Sequence, residues 1–353
     1  MLNKKQINEI KEHLSRAQNP IFYYDNDADG LCSFLLLRRY LGRGYGVAIR
    51  SYPELNAQYA TKAQQLKADY VFILDKPVVS KEFLDEIKLL GLNVVWIDHH
   101  QIDKKEFEKE FSKFDNLYFY NSATKKEGGE PVSYIAYKLT ERKEDLWIAL
   151  MGCVADYYLP DFTDEFAERY SNFWIAKKKI IPFDAYFGSE IGRIAIALNF
   201  GLKDSVSHVV ELQNFLISCK GPEDVFLETE VNRKFREKYS EIKKKYEALL
   251  TDALKNASEK MIFFEYSGDL SISADLANEL WYKNQDKYIA VCYKKGAITN
   301  ISMRGRNVLR ILKKILAKIE NATGGGHRDA VGARIRTENL GIFRELMEKE
   351  IGK

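Results

Sequence analysis

Four short segments of this 353-residue chain hold residue types suited to metal chemistry. The first is Asp25-Asn26-Asp27-Ala28-Asp29-Gly30. The second is Asp75, the third Asp98-His99-His100, and the fourth Asp156 in the run GCVADYY. Carboxylates beside apolar runs need partners, because an unpaired buried charge is costly. These carboxylates have few basic residues inside their motifs, so a cation must offset their repulsion. Oxygen ligands with imidazole suit Mn²⁺ or Mg²⁺ better than a thiolate-seeking metal. Residues two apart on an extended segment share a face, so the spacing predicts that Asp25, Asp27 and Asp29 present together. Enough ligands exist for two ions. Two ions about 4 Å apart activate a water and clamp the oxygens of a phosphoryl group. Any one segment alone also reads as a turn or a helix cap. A purely structural role for all four together is the weaker reading.

A second set lies near the C-terminus. Gly324-Gly325-Gly326-His327 exposes successive backbone N–H groups with no side chains in the way. That composition suits a nest for phosphate or carboxylate, and equally a flexible turn. Arg304 and Arg306, with Lys313, Lys314 and Lys318 behind them, form a basic cluster. Arg suits bidentate phosphate contact, and Arg304, just after an apolar run, is the better candidate. The lysines also read as a solvated helix face. His13 and His208 fall in helical stretches and look incidental to a site.

The elements that must carry these residues alternate. Residues 4–17 predict an amphipathic helix. IFYYD is an apolar run ending in acid, and LCSFLLLRRYL predicts a helix that begins just past the acids. GYGVAIRSYP, ADYVFILD and LNVVWIDHH predict strands, with helices over 57–67 and KEFLDEIKLLG between them. Alternating strands and helices with short connections imply an α/β unit with a largely parallel sheet. In such sheets, sites form at the C-terminal edge of the strands, where three of the four acidic segments fall. Residues 130–155 read as helical, followed by an aromatic-rich helical region over 162–220. The stretch 230–256 predicts a long polar helix with seven basic residues over 233–245. MIFFEYS, YIAVCYKKG and AITNISMRG predict strands, VLRILKKILAKI a helix, and GGGHRDAVGARI a glycine-rich turn leading to a further helix or turn. The last helix covers 340–350. The division expected is 1–190, a connector over 191–230, and 231–353.

Composition narrows the class further. Lys+Arg 54 against Asp+Glu 51 gives +3, and 46% hydrophobic residues suit a globular enzyme, not a disordered tail. The sum alone does not point to a polyanionic partner. Four cysteines at 32, 153, 219 and 292 form no disulfide framework or zinc spacing, so a reducing, cytoplasmic location is expected. The N-terminus lacks an apolar h-region, and no apolar stretch reaches 18 residues, so no membrane partner is expected.

DNDADG, the Leu-Asp at 74–75, DHH at 98–100, GCVADYY and GGGH, in this order, resemble the DHH phosphoesterase family. More closely they resemble its DHH–DHHA1 branch of RecJ-like exonucleases and nanoRNases, of archaeal type. The resemblance implies an N-terminal DHH domain and a smaller α/β DHHA1 domain across a cleft. It implies two Mn²⁺ ions, with Mg²⁺ as an alternative. Asp25 and Asp27 would hold one ion, Asp29, His99 and Asp156 the other, and Asp75 both. Asp98 would support the histidine pair, with His100 beside the scissile phosphate and a metal-bound water as the attacking group. Gly325, Gly326, His327 and Arg304 would bind substrate phosphate. Asp25 stands where many relatives carry His, and Lys76-Pro77 follows Asp75 where His or a small residue is more familiar. The implied activity is exonucleolytic release of 5′-mononucleotides from single-stranded DNA or RNA. The alternatives are hydrolysis of very short oligonucleotides or 3′-phosphoadenosine 5′-phosphate, cyclic dinucleotide hydrolysis, and a replication or repair scaffold with a protein partner.

Overall fold

A computed structural model describes residues 1–51, 54–123, 129–177 and 179–352. The chain divides into two compact units, Met1–Tyr239 and Ser240–Lys353. The first holds strands β1 (Pro20–Asp25), β2 (Tyr45–Ile49), β3 (Tyr70–Leu74), β4 (Asn93–Asp98) and β5 (Leu117–Asn121). All pair in parallel, in the order β2-β1-β3-β4-β5. β1, β3 and β4 are apolar along nearly their whole length because both faces are covered. Ile21, Tyr23, Val71, Ile73, Val94 and Trp96 pack on one face, under the helix Lys81–Leu89 and its neighbours. Phe22, Tyr24, Phe72, Leu74, Val95 and Ile97 alternate onto the other. The helices Ala28–Leu41, Val132–Thr140 and Leu146–Ala155 pack on one another, the first of them also on β1. The last is apolar all round and buried, as a central helix must be.

A detail of the first unit departs from expectation. The helix after β1 starts inside the acidic motif: Asp27 is its N-cap, accepting from Gly30 N at 2.9 Å, and Asp29 lies in its first turn. A short acidic side chain at N-cap satisfies a free helix N–H, which is why the helix begins there. The extended geometry that would align all three aspartates therefore ends at Asp27. The stretch 191–230, expected as a helical connector, falls in the first unit. The helices Glu190–Gly201 and Val206–Ser218 lie within the first unit, their apolar faces buried in it. β5 and the helix Lys104–Phe111 were not foreseen, because LYFYN is short and half-buried.

The second unit is a mixed sheet in the order β6-β7-β8-β10-β9. Its strands are β6 (Met261–Ser267), β7 (Tyr288–Lys295), β8 (Ile298–Arg304), β9 (Thr323–Gly326) and β10 (Ala330–Arg336). β6 and β7 are parallel and the other pairs antiparallel. The helices Val308–Leu316 and Leu340–Ile351 share a core with this sheet, which includes Met303, Leu312 and Phe343. The expected turn at GGGH is instead an exposed edge strand, and AVGARI is its partner strand rather than a helix or turn. The alternation of Val331, Ala333 and Ile335 into the core fixes β10, and β9 pairs to it.

Candidate metal centre

The register of the parallel sheet sets three acids in one row. Tyr24 pairs with Leu74 and Leu74 with Ile97, so Asp25, Asp75 and Asp98 follow side by side. The chain leaves β1 for β2 on one side and β3 lies on the other, so the crevice between β1 and β3 is the point where ligands bind in open α/β sheets. Asp75 has a left-handed backbone, with φ 58°, and its N–H is tied to Ile97 O at 3.0 Å. A non-glycine residue in this region costs energy, and such residues concentrate at functional sites.

Asp75, His99 and His100 each place a ligand atom within 4.8 Å of the others. His99 Nε2 lies 3.2 Å from Asp75 Oδ1, and His99 Nδ1 lies 3.7 Å from Asp156 Oδ2. His100 Nδ1 lies 2.9 Å from Asp98 Oδ1, while Asp98 Oδ2 accepts from His100 N and from Asn121 Nδ2. Asp98 is therefore an orienting group, held under the imidazole and fully buried. Asp75 Oδ1 is buried with no hydrogen-bond donor aligned on it. Converging lone pairs of a carboxylate and an imidazole, with none of the usual donors supplied, fit a divalent cation. Asp27 and Asp29 also lie close enough to act on the Asp75 charge.

The electrostatics agree. Burial, then the charges of Asp29, Asp27, Asp156 and Asp25, hold the Asp75 carboxyl well above the usual carboxylate range. Burial and then Asp25 push Asp27 up to about 7, and burial raises Asp156 to about 6 against the opposing pull of His99. Burial alone would depress His100, but its hydrogen bond to Asp98 and the surrounding acids raise it to about 9. Six carboxylates thus crowd one another.

The structure distinguishes the roles of the predicted aspartates. Asp29 is buried, and both its oxygens are engaged by the start of the helix Val132–Thr140. Val132 N donates to Oδ2 at 2.8 Å, Ser133 N to Oδ1 at 3.0 Å, and the Ser133 hydroxyl to Oδ1 as well. This is an anion at a helix N-terminus. Ser133 was not singled out in the sequence, although Pro131 just before it marks a helix start. Gly30 and Gly152 are also fixed by geometry. A Cβ at Gly30 would meet Asp25 O at 2.5 Å, and one at Gly152 would meet Ser133 Oγ at 2.5 Å.

Lys76 enters the centre directly. Its Nζ donates to Asp25 Oδ1 at 2.9 Å, with its side chain 3% exposed and that of Asp25 29% exposed. Among the described residues of the second unit no comparable cluster forms. Gly325, Gly326 and His327 are exposed, and His327 N donates to Ala330 O at 2.9 Å. Arg304 is half-buried and donates to Asn278 Oδ1 and Met303 O. On the helix Arg233–Lys255, Arg233 pairs with Glu230 and Glu237, Lys234 with Glu211, Lys243 with Glu247, and Lys245 with Glu241 and Asp269. Much of that basic stretch is balanced by acids, so it is a weaker polyanion footprint than its sequence suggests. The four cysteines are free and buried. Among the described residues, no helix is long and apolar enough to cross a membrane.

Residues 21–157 match the family model described as the DHH family, N-terminal domain. That segment is a DHH-family domain. In fold the chain is similar to RecJ in complex with Mn²⁺ from Thermus thermophilus, at TM-score 0.64 and 15% identity. The similarity covers 99% of this chain and 54% of that one, so this chain spans about half its length. An exonuclease RecJ bound to manganese is similar at TM-score 0.61 and 15% identity, over 99% of this chain and 94% of that one. A pGpG-specific phosphodiesterase from Vibrio cholerae is similar at TM-score 0.51 and 12% identity, over 95% and 99%. No curated protein sequence matches the chain. At these identities the likeness is one of fold, and the DHH row at the sheet edge lies inside the matched segment.

Proposed function

We propose that this protein is a Mn²⁺-dependent phosphoesterase that degrades single-stranded DNA or RNA from an end, releasing 5′-mononucleotides. The observation that carries the reading is the convergence of Asp75, His99 and His100 at the switch point of the sheet, with Asp75 Oδ1 buried and undonated. Asp25 and Asp27 would hold one ion, His99 and Asp156 another, and Asp75 would touch both, while Asp29, whose oxygens accept from Val132 and Ser133, would position the start of the motif. Bound divalent ions supply charge for the phosphoryl oxygens and a nucleophilic water near neutral pH. The chain's own residues do the rest. Asp98 holds the His100 ring by Nδ1, which leaves Nε2 to face the reacting phosphoryl group. Ser133 and the N–H groups of Val132 and Ser133 fix the Asp29 carboxylate. Gly325, Gly326, His327 and Arg304 would bind substrate phosphate.

A second reading, hydrolysis confined to very short oligonucleotides, is favoured by the acid pairing along the helix Arg233–Lys255. That pairing leaves less free positive charge to track a long strand. A pGpG-specific phosphodiesterase shares the fold over its full length, as an exonuclease RecJ bound to manganese does, so length does not separate the two readings. End-labelled single-stranded DNA and RNA from dinucleotides to long strands, given with Mn²⁺, separate the two. Processing of long strands supports the exonuclease. Activity confined to the shortest substrates supports the second reading, and no Mn²⁺-dependent hydrolysis of any of them rejects both.

A further inference from the structure

One of the residues that depart from the expected pattern, Lys76, is a buried cation paired at the row of acids. Lys76 follows Asp75, and its ammonium lies 2.9 Å from Asp25 Oδ1 with 3% of the side chain exposed. A solvated lysine brushing a carboxylate would be mostly exposed, and such pairs contribute little. This one is not of that kind. Its backbone is fixed at both ends: its own carbonyl accepts Trp96 Nε1–H at 2.8 Å, and the left-handed turn at Asp75 precedes it. A buried ammonium must keep its counter-charge, and Asp25 is the hydrogen-bonded partner of its Nζ among the described residues.

We propose that Lys76 is a built-in cation on the Asp25 side of the centre, so that the two ions bind unequally. One ion binds tightly around Asp75 and His99. The other binds at Asp25 and Asp27 only by displacing the Lys76 ammonium. This rests on the metal reading above and deepens it. The physical reason is direct. Two cations held a few ångströms apart in a partly dry site repel strongly, so the ammonium and an ion on Asp25 exclude one another. Asp25 is 29% exposed, so a route to solvent exists for the displaced side chain. His99 Nε2 lies 3.2 Å from Asp75, and no lysine ammonium pairs with Asp75 or His99 among the described residues; the cation nearest on that side is the His100 ring, which Asp98 holds.

The test is a Mn²⁺ titration of the full chain by calorimetry, with electron paramagnetic resonance to report when two ions become spin-coupled. Wild type is expected to bind in two steps, with affinities separated by about tenfold or more and coupling only after the second. Lys76→Met is expected to tighten the second step by about tenfold or more while leaving the first unchanged. Asp25→Asn should remove the second step and keep the first. If Lys76→Met fails to fold by circular dichroism, Lys76→Gln carries the same expectation with an amide that still reaches Asp25. Equal affinities in wild type, or a second step unmoved by removing the charge, overturn the proposal and leave the metal reading standing. Absence of any Mn²⁺ binding overturns the metal reading and this proposal with it.

Discussion

At the residue scale the centre depends on groups that do different work despite being the same amino acid. Asp75 offers a buried oxygen with no donor, Asp98 spends its oxygens on His100 and Asn121, and Asp29 spends its own on Val132 and Ser133. Asp75→Asn is therefore expected to abolish Mn²⁺ binding and hydrolysis together, read by metal analysis and turnover. Asp98→Asn removes an orienting group, and about a 10–100-fold loss of metal affinity or activity is expected with the fold intact. The raised carboxyl values give a pH prediction for the metal-free protein. Asp27, at about 7, and Asp156, at about 6, bind protons more tightly folded than unfolded. Their stabilising contribution is full below the unfolded carboxylate range and is lost as pH rises through about 6 to 7. A bound divalent cation would replace the lost protons. The gap in Tm between protein with Mn²⁺ and protein with chelator should widen from about pH 5 to pH 8. A gap that is constant or narrows across that range would contradict the assignment.

At the element scale, short segments hold the acids in place. The helix Ala28–Leu41 starts at Asp27 because a carboxylate there caps Gly30 N, and Gly30 is required because the helix passes against the Asp25 backbone. Gly30→Ala places a methyl group 2.5 Å from a backbone oxygen that cannot swing aside. A loss of about 1–3 kcal/mol is expected, with weaker Mn²⁺ binding, measured by denaturant midpoint and metal titration. Ser133→Ala removes a donor from a buried carboxylate. The expected loss is about 1–3 kcal/mol, and its failure to appear would mean that Asp29 is held by the helix N–H groups alone.

At the scale of the whole molecule the net charge of +3 hides its distribution. Six acids meet at the sheet edge, and the basic stretch along 233–245 is largely answered by neighbouring glutamates. Nucleic-acid binding should therefore depend on few phosphate contacts. A slope of log K against log salt near about −2 is expected for single strands, the value for about three neutralised phosphates. A slope several times steeper would show a long basic track. His327→Ala is expected to weaken oligonucleotide binding while metal content stays near wild type, because His327 is exposed in the second unit and the acids belong to the first.

The sequence by itself determined the parallel α/β unit and the acidic row. Apolar runs ending in Asp25, Asp75 and Asp98 can only be strands buried on both faces, and register then aligns their ends. It also determined the long helix at 233–255, whose polar periodicity needs no partner to be read. Tertiary structure decided the rest. Asp29 looks like Asp25 and Asp27 in the sequence, yet a helix more than a hundred residues later claims both its oxygens. Three glycines permit a turn, but the alternation of β10 draws them into an edge strand. In the sequence Lys76 is only the neighbour of Asp75, and folding brings Asp25, fifty-one positions earlier, to its ammonium. Spacing along a chain states which groups share an element. Only packing states which oxygen is left without a donor, and that decides where a cation belongs.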